Sequence, residues 1–217
     1  MLEFALIALL FIPMLMLAVL TGWGLVRSIQ ANQVTRDLTN IYIHGGDFSS
    51  YSMQQLAQRL AQGLNLQIGS AFTGNSTSNT SNSGDGVVTV TQMMYVGGTT
   101  APNCVAVGAG NCTNHDSFVF TQRMQFGNGT LTTLTQLGNP TTTAISNQGI
   151  VQSPVTDSGA KLPSSGQTNM SNLWQVSGNG RAPLQDGQVV YVVEVFFRNT
   201  VTLGAYPGDG VYAVYYY

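Results

Sequence analysis

Charge is what this sequence has least of. Seven basic and nine acidic residues are spread over 217 positions, 7% in all, against about 25% in ordinary soluble domains. The net charge of −2 offers no basic field for nucleic acid or anionic lipid, so no nucleic-acid partner is expected. Lys161 is the lone lysine. Histidine and cysteine occur twice each, as His44, His115, Cys104 and Cys112, too few ligands on too many segments for a metal site. There is no glycine-rich phosphate loop after a strand and no GxSxG elbow. His115-Asp116 beside Cys112 is the nearest approach to a thiol–histidine arrangement, and a cysteine partner eight residues away argues against it. No enzymatic activity and no cofactor are expected. The polar character comes from Ser, Thr, Asn, Gln and Gly, a neutral surface common outside the cell.

What is present begins at the N-terminus. Phe4 to Val26 contains no charge in 23 residues. As a helix it is about 34 Å long, enough to cross the hydrocarbon core of a bilayer. It is apolar all round, so every face needs cover, from lipid or from other copies of the same helix. Pro13 predicts a kink or a melted stretch near Ile12, and Trp23, between Gly22 and Gly24, reads as an interfacial anchor. A cleaved secretory signal fits poorly: the run is too long and has neither a basic flank nor a small-residue cleavage site. An ordinary single-span anchor is the serious alternative. Glu3 speaks against it, because a carboxylate entering lipid needs a cation, and the α-amino group of another chain is the nearest candidate. The charge balance speaks against it too. An acid before the run and Arg27 and Arg36 after it would place the polar C-terminal part in the cytoplasm. A basic leader removed during maturation resolves that conflict.

Leu2-Glu3-Phe4-Ala5-Leu6-Ile7, followed by an apolar run with Pro13 and then by Gly22 and Arg27, resembles the N-terminal signature of TadE-like pilins and pseudopilins. It is similar, more loosely, to the type IV pilin superfamily as a whole. The resemblance covers about 45 of the 217 residues. It implies processing by a prepilin peptidase, passage through the inner membrane, an assembly machinery, and apolar helices bundled at the centre of a filament. It assigns assembly roles to Glu3, Phe4, Pro13 and Trp23. Glu3 stands third here, where the family's mature chains carry glutamate fifth.

The remainder reads by pattern. Arg27 to Ile43 continues the first helix, with Leu25, Ile29, Val34, Leu38 and Ile41 as an apolar stripe and Gly45-Gly46 as its stop. Tyr51 to Leu64 predicts a second amphipathic helix through Met53, Leu56, Ala57, Leu60, Ala61 and Leu64, with N-cap candidates between Asp47 and Ser50. Ser70 to Gly86 is low-complexity and reads as a flexible loop. Val87–Val96 and Ser117–Phe126 form a long-looped hairpin, with Phe118, Phe120 and Met124 on one face. One cysteine pair allows one connectivity, and a Cys104–Cys112 bridge across the hairpin loop contributes roughly 2–3 kcal/mol. Residues 127–186 show no regular pattern. Gln188–Arg198 reads as the central strand, with Glu194 facing solvent or paired with Arg198 or Arg181. After a loop from Asn199 to Gly210, Val211–Tyr217 pairs with it as a hairpin.

The expected fold class is α+β: a long N-terminal apolar helix, a second amphipathic helix and a small antiparallel sheet of about four strands. Residues 1–44 form the assembly or transmembrane helix and 45–217 the globular head. The expected function is a structural subunit of an extracellular, pilus-like homo-oligomeric filament, membrane-inserted before assembly. A membrane-anchored exoplasmic binding or adhesion domain and a minor pseudopilin are the alternatives. Sequons at Asn75, Asn79, Asn111, Asn128 and Asn169 are candidate N-glycan sites where a host has the machinery, and Ser76–Ser83 and Thr141–Thr143 are candidates for O-linked sugar.

Overall fold

The computed structural model describes residues 2–69, 78–142, 144–174, 184–198 and 210–217; for 2–8 and 132–134 it describes the backbone alone. The fold is α+β, as expected: a long helix joined to a head built on a five-stranded sheet.

Helix α1 runs without a break over Leu2–Ile43. Pro13 lies inside it, so the melted stretch expected near Ile12 is absent; the proline brings no N–H to the carbonyl one turn earlier, and the helix carries on past it. It stops where the sequence demands. Gly45 takes a φ of 88°, and the N–H groups of Gly45 and Gly46 turn back onto the carbonyls of Tyr42 and Ile41 at 3.1 and 2.9 Å, a glycine-terminated cap.

The second half of α1 packs on strands β4 (Val189–Arg198) and β5 (Gly210–Tyr216) through Ala31, Val34, Thr35, Leu38, Thr39 and Tyr42. The two threonines enter this apolar contact at little cost. Each hydroxyl donates to the carbonyl four residues back, Ala31 at 2.7 Å and Thr35 at 2.8 Å. Leu25 and Ile29, expected on the same stripe, are exposed. Ile29 and the buried Leu38 are two and a half helical turns apart, so they sit on opposite faces.

Helix α2 (Tyr51–Leu60) follows Ser50, whose extended backbone makes it the N-cap, and closes with a tight turn at Gln62–Leu64. It buries Gln54 and Ala57. Leu56 and Leu60 stay at the surface, a narrower apolar stripe than the sequence suggests.

The sheet has the order β1-β3-β2-β4-β5. Strands β2 (Gly86–Val96) and β3 (Ser117–Asn128) are the expected antiparallel hairpin, and β4 pairs antiparallel with both β2 and β5. The middle strand is β2; β4 lies one place away, still flanked on both sides. Two expectations are corrected. The sheet has five strands and is mixed, because β1 (Ser78–Ser81) pairs parallel with the end of β3. That strand comes from the low-complexity stretch expected to be a loop. A buried side-chain bond holds it: the Asn79 carboxamide donates to Gln54 of α2 at 2.5 Å. The second correction is facial. An irregularity in β3 next to Gln122 puts Phe118 and Phe120 on one face of the sheet and Met124 and Phe126 on the other, since one inserted residue inverts a period-2 pattern.

Residues expected to lack regular structure contain helix α4 (Ser164–Trp174) and short 3₁₀ turns at Gly129–Leu134 and Ser158–Ala160. Helix α4 docks by one glutamine. Gln167 accepts from the Phe118 N–H at 3.0 Å and donates to the Phe118 carbonyl at 2.7 Å, as a neighbouring strand would. Segments around Gly149–Val151 and Lys161–Leu162 bond the rest of β3's outer edge, which closes it against chance pairing. The core therefore has two layers. One lies under α1 and α2, with Val88, Val90, Phe126, Val193, Val195 and Phe197. The other lies under the 137–174 segment, with Met93, Phe118, Phe120, Leu162, Met170 and Val192.

Candidate assembly helix and the buried ion pair of the head

Helix α1 divides into two parts by environment. Every large apolar side chain from Leu9 to Val26 is exposed, from 38% at Leu20 to 78% at Leu9. The segment is long and apolar enough to cross a membrane. Its one hydroxyl, Thr21, donates to the carbonyls of Leu17 and Ala18 at 2.9 and 3.0 Å, so it presents no unmet donor to an apolar surrounding. Trp23 is 54% exposed near the far end of the run. The backbone at Glu3 and Phe4 is helical; their side chains lie outside the described set. Of the residues assigned to assembly, the structure thus places Pro13 and Trp23 on one exposed helix, continuous with Glu3 and Phe4.

The head takes hold just after the apolar run. Arg27 donates to the carbonyl of Arg198 at the end of β4, at 3.2 Å. The sequence marks Arg27 only as a charge; its grip on the head is a tertiary contact. Further along, the Tyr42 hydroxyl donates to Gln122 at 2.9 Å and its ring meets Tyr191 edge-on with centroids 5.1 Å apart. Burial, followed by the neighbouring Tyr191, pushes this phenol well above its usual range.

Inside the head lies one concentrated piece of polar chemistry. Glu194 of β4 is 3% exposed and Arg123 of β3 is 5% exposed, with a guanidinium nitrogen 3.7 Å from a carboxylate oxygen. Glu194 accepts from the Thr135 hydroxyl at 2.6 Å, the Gln136 N–H at 2.8 Å and the Tyr212 hydroxyl at 2.5 Å. Arg123 donates to Asn139 at 3.0 Å, Thr91 at 2.8 Å and Thr135 at 3.0 Å. Desolvation lowers the Arg123 guanidinium to about 10, against the opposing pull of Glu194, and it keeps its proton at neutral pH. Burial and then Glu194 drive the Tyr212 phenol far up. The expectation of a solvent-facing Glu194 is therefore corrected. Arg198 is exposed at the strand's end, and Arg181 lies outside the described residues. The constellation is fully bonded and clips residues 135–139 onto the sheet.

Cys104, on the short helix α3 (Pro102–Val107), and Cys112 form the expected disulfide, with Cα atoms 5.1 Å apart. Both are buried with Val96 and Val119, so the bridge staples the hairpin loop to the strands that carry it. His115 and Asp116 sit 3.1 Å apart at the surface. Asp186 tethers the same loop by accepting from the N–H groups of Gly97 and Asn103, each at 2.8 Å. Burial pushes its carboxyl up, but these bonds outweigh that and hold it below the usual carboxylate range.

The sequons separate by burial. Asn79 and Asn128 are 3% and 4% exposed, and their carboxamide nitrogens are committed to Gln54 and to the Gly84 carbonyl. In this fold they are framework residues. Asn111 is exposed and Asn169 half-buried; Asn75, part of Ser76–Ser83, and Thr143 lie outside the described residues. Among the described residues no cluster of metal-ligating side chains occurs.

No family model, no characterised protein and no solved structure matches the chain.

Proposed function

We propose that this protein is a structural subunit of an extracellular, pilus-like filament, held in a membrane before assembly and bundled through its N-terminal helix afterwards. One observation carries the reading. A single unbroken helix has one half packed into the head and the other bare and apolar on every side. A bare helix of this kind needs a partner along its whole length. Lipid supplies one before assembly, and other copies supply one after it. Relative to water that burial is worth tens of kcal/mol at about 25 cal/mol per Å²; relative to lipid it is worth far less, which makes transfer between bilayer and fibre feasible. The N-terminal resemblance to TadE-like pilins, the disulfide and the weakly charged head support the same reading.

The test is electron microscopy of material sheared from the surface of expressing cells, for the wild type and Glu3→Ala. The expected result is filaments for the wild type, few or none for the variant, and equal amounts of both proteins in the membrane. A wild-type chain that stays monomeric in membranes and sheds no filaments would instead be an anchored exoplasmic binding domain.

A further inference from the structure

We propose that the outer edge of β5 is a pairing surface for the β5 of a second copy, added antiparallel so that two five-stranded sheets become one. The pairing is a property of the head and stands or falls apart from the filament reading.

Strand β5 ends the sheet. Val211, Ala213, Tyr215 and Tyr217 turn their N–H and C=O groups toward β4; Tyr217 exchanges both bonds with Tyr191, each at 2.9 Å. Strand alternation then turns those of Tyr212, Val214 and Tyr216 outward, and among the described residues no backbone bond reaches them. The opposite end of the sheet differs. Strand β1 is four residues of Ser, Asn and Thr, and its Asn79 carbonyl already accepts from Gly69 at 3.4 Å. Open edges are normally blunted by charge, by proline or by a bulge. From Gly210 to Tyr217 there is no charged residue and no proline, and the pairing with β4 runs without a register shift.

The same strand of a second copy fits this edge. Centring the pair on Val214 sets Tyr212 against the other copy's Tyr216 and Val214 against Val214, so each of these outward groups finds a partner. On the α1 side it sets Ala213, 4% exposed, against Tyr215, and Val211 against Tyr217, small against large. Neighbouring strands lie about 4.8 Å apart. The two α1 helices, each packed on β4 and β5, then come to lie about 10 Å apart, the distance of packed helices.

Helix α1 runs in the direction of β5. Arg27 bonds Arg198, which stands opposite Gly210, and Tyr42 meets Tyr191, which stands opposite Tyr217. Ile29 is thus level with Val211, and Arg36 with Val214. Ile29, Arg36 and Ile43 recur every seventh residue and so share one flank of the helix. That flank lies beside β5: Arg36 and Ile43 line a groove of about 360 Å³ with Tyr215 and Tyr217. In the antiparallel pair the other copy's Ile29, 57% exposed in the single chain, enters the groove between Ile43 and Tyr217. Arg36 and Asp37 line it as well, and neither is in an ion pair among the described residues. At the two-fold axis each Arg36 comes within reach of the other copy's Asp37, a self-complementary arrangement. The bare halves of the two helices leave in opposite directions, so the pair joins molecules of separate assemblies, not neighbours in one filament.

The experiment measures the mass of the whole chain in detergent by sedimentation equilibrium over a range of concentrations, with near-ultraviolet circular dichroism as the check on folding. The wild type is expected to dimerise. Val214→Pro removes an outward N–H and leaves the bonds to β4 in place; it should weaken the dimer at least about tenfold. Both native cysteines are bridged, so an introduced thiol reports alone. Val214→Cys should oxidise to a covalent dimer, because facing Cα atoms at a bonded pair are about 5.5 Å apart. Tyr217→Cys is exposed but about 20 Å from its counterpart in this register, and should not. A monomeric wild type, or cross-linking of Tyr217→Cys as readily as of Val214→Cys, would overturn the pairing. A folded Val214→Pro variant that dimerises as tightly as the wild type would overturn it too, and would assign the dimer to the bare helices.

Discussion

Replacing Glu194 by glutamine tests the head's architecture most directly, because it changes one charge and almost no volume. The carboxylate receives three donors, from Thr135, Gln136 and Tyr212. A carboxamide keeps one acceptor oxygen and turns the other position into a donor, so at least one of the three loses its partner. Arg123, 5% exposed, keeps its charge and loses its counter-ion. Breaking a buried pair from one side costs about 3–5 kcal/mol, a large part of the roughly 5–15 kcal/mol that a domain has. For a domain of this size the melting temperature should fall by about 10 °C. Urea unfolding of the detergent-solubilised chain, followed by near-ultraviolet circular dichroism, measures the loss. Hydrogen exchange should show residues 135–139 opening first, since the carboxylate is what holds them. The pair Arg123→Met and Glu194→Leu completes a cycle. The double variant strands no charge but orphans the Thr135 hydroxyl, the Gln136 N–H and the Tyr212 hydroxyl at about 1–3 kcal/mol each. Glu194→Leu alone orphans the same donors and strands Arg123 as well, so the double variant should lose no more than that single one, a coupling of about 3 kcal/mol. If Glu194→Gln falls within about 1 kcal/mol of the wild type and residues 135–139 stay equally protected, the claim that this pair clamps the segment is wrong.

Three further outcomes are expected. Replacing Cys104 and Cys112 by serine should cost roughly 2–3 kcal/mol, measured as the shift between denaturation midpoints of the two proteins, with the hairpin loop most affected. Gln167→Leu should free α4, seen as faster amide exchange at residues 164–174 and at Phe118 while α1 is unchanged. Asp186 has a folded-state pKa below its unfolded value, so its contribution is present above the unfolded value and disappears as the pH falls through the folded one. The stability gap between the wild type and Asp186→Asn should accordingly be present at neutral pH and close in acid, as read from unfolding curves across that range.

The parts of the fold legible in the sequence are those whose pattern is local. The charge-free run, the β2–β3 hairpin around its cysteine loop, and the last two strands each announce themselves through a continuous apolar stretch or a nearby turn. What escaped is held by side chains acting at a distance. Strand β1 has no apolar residue to betray it; Asn79 and Gln54 fix it from another element. Helix α4 is written in Ser, Gly, Thr and Asn, poor helix formers, and depends on Gln167 meeting β3. The placement of Met124 on the face of Phe118 and Phe120 failed at one irregular residue. Glu194 looked like an interruption in an apolar strand because Arg123, which explains it, sits two strands across the sheet. On the assembly side, the apolar character of α1 was plain, but which of its faces is free was not. That depends on where the head begins to cover it, at Ala31.

The unbroken run of α1 also sets how the molecule bears force. Tension applied to the bare half has no flexible joint to relax into, because the helix passes Pro13, Gly22 and Gly24 and continues under the sheet. It arrives as shear along the contact of Ala31, Val34, Leu38 and Tyr42 with strands β4 and β5, where many small contacts must slide together. A pull across the same contact would open it one residue at a time. Arg27, bonded to the end of β4, stands at the first point that shear reaches, and would be the first contact to yield under load.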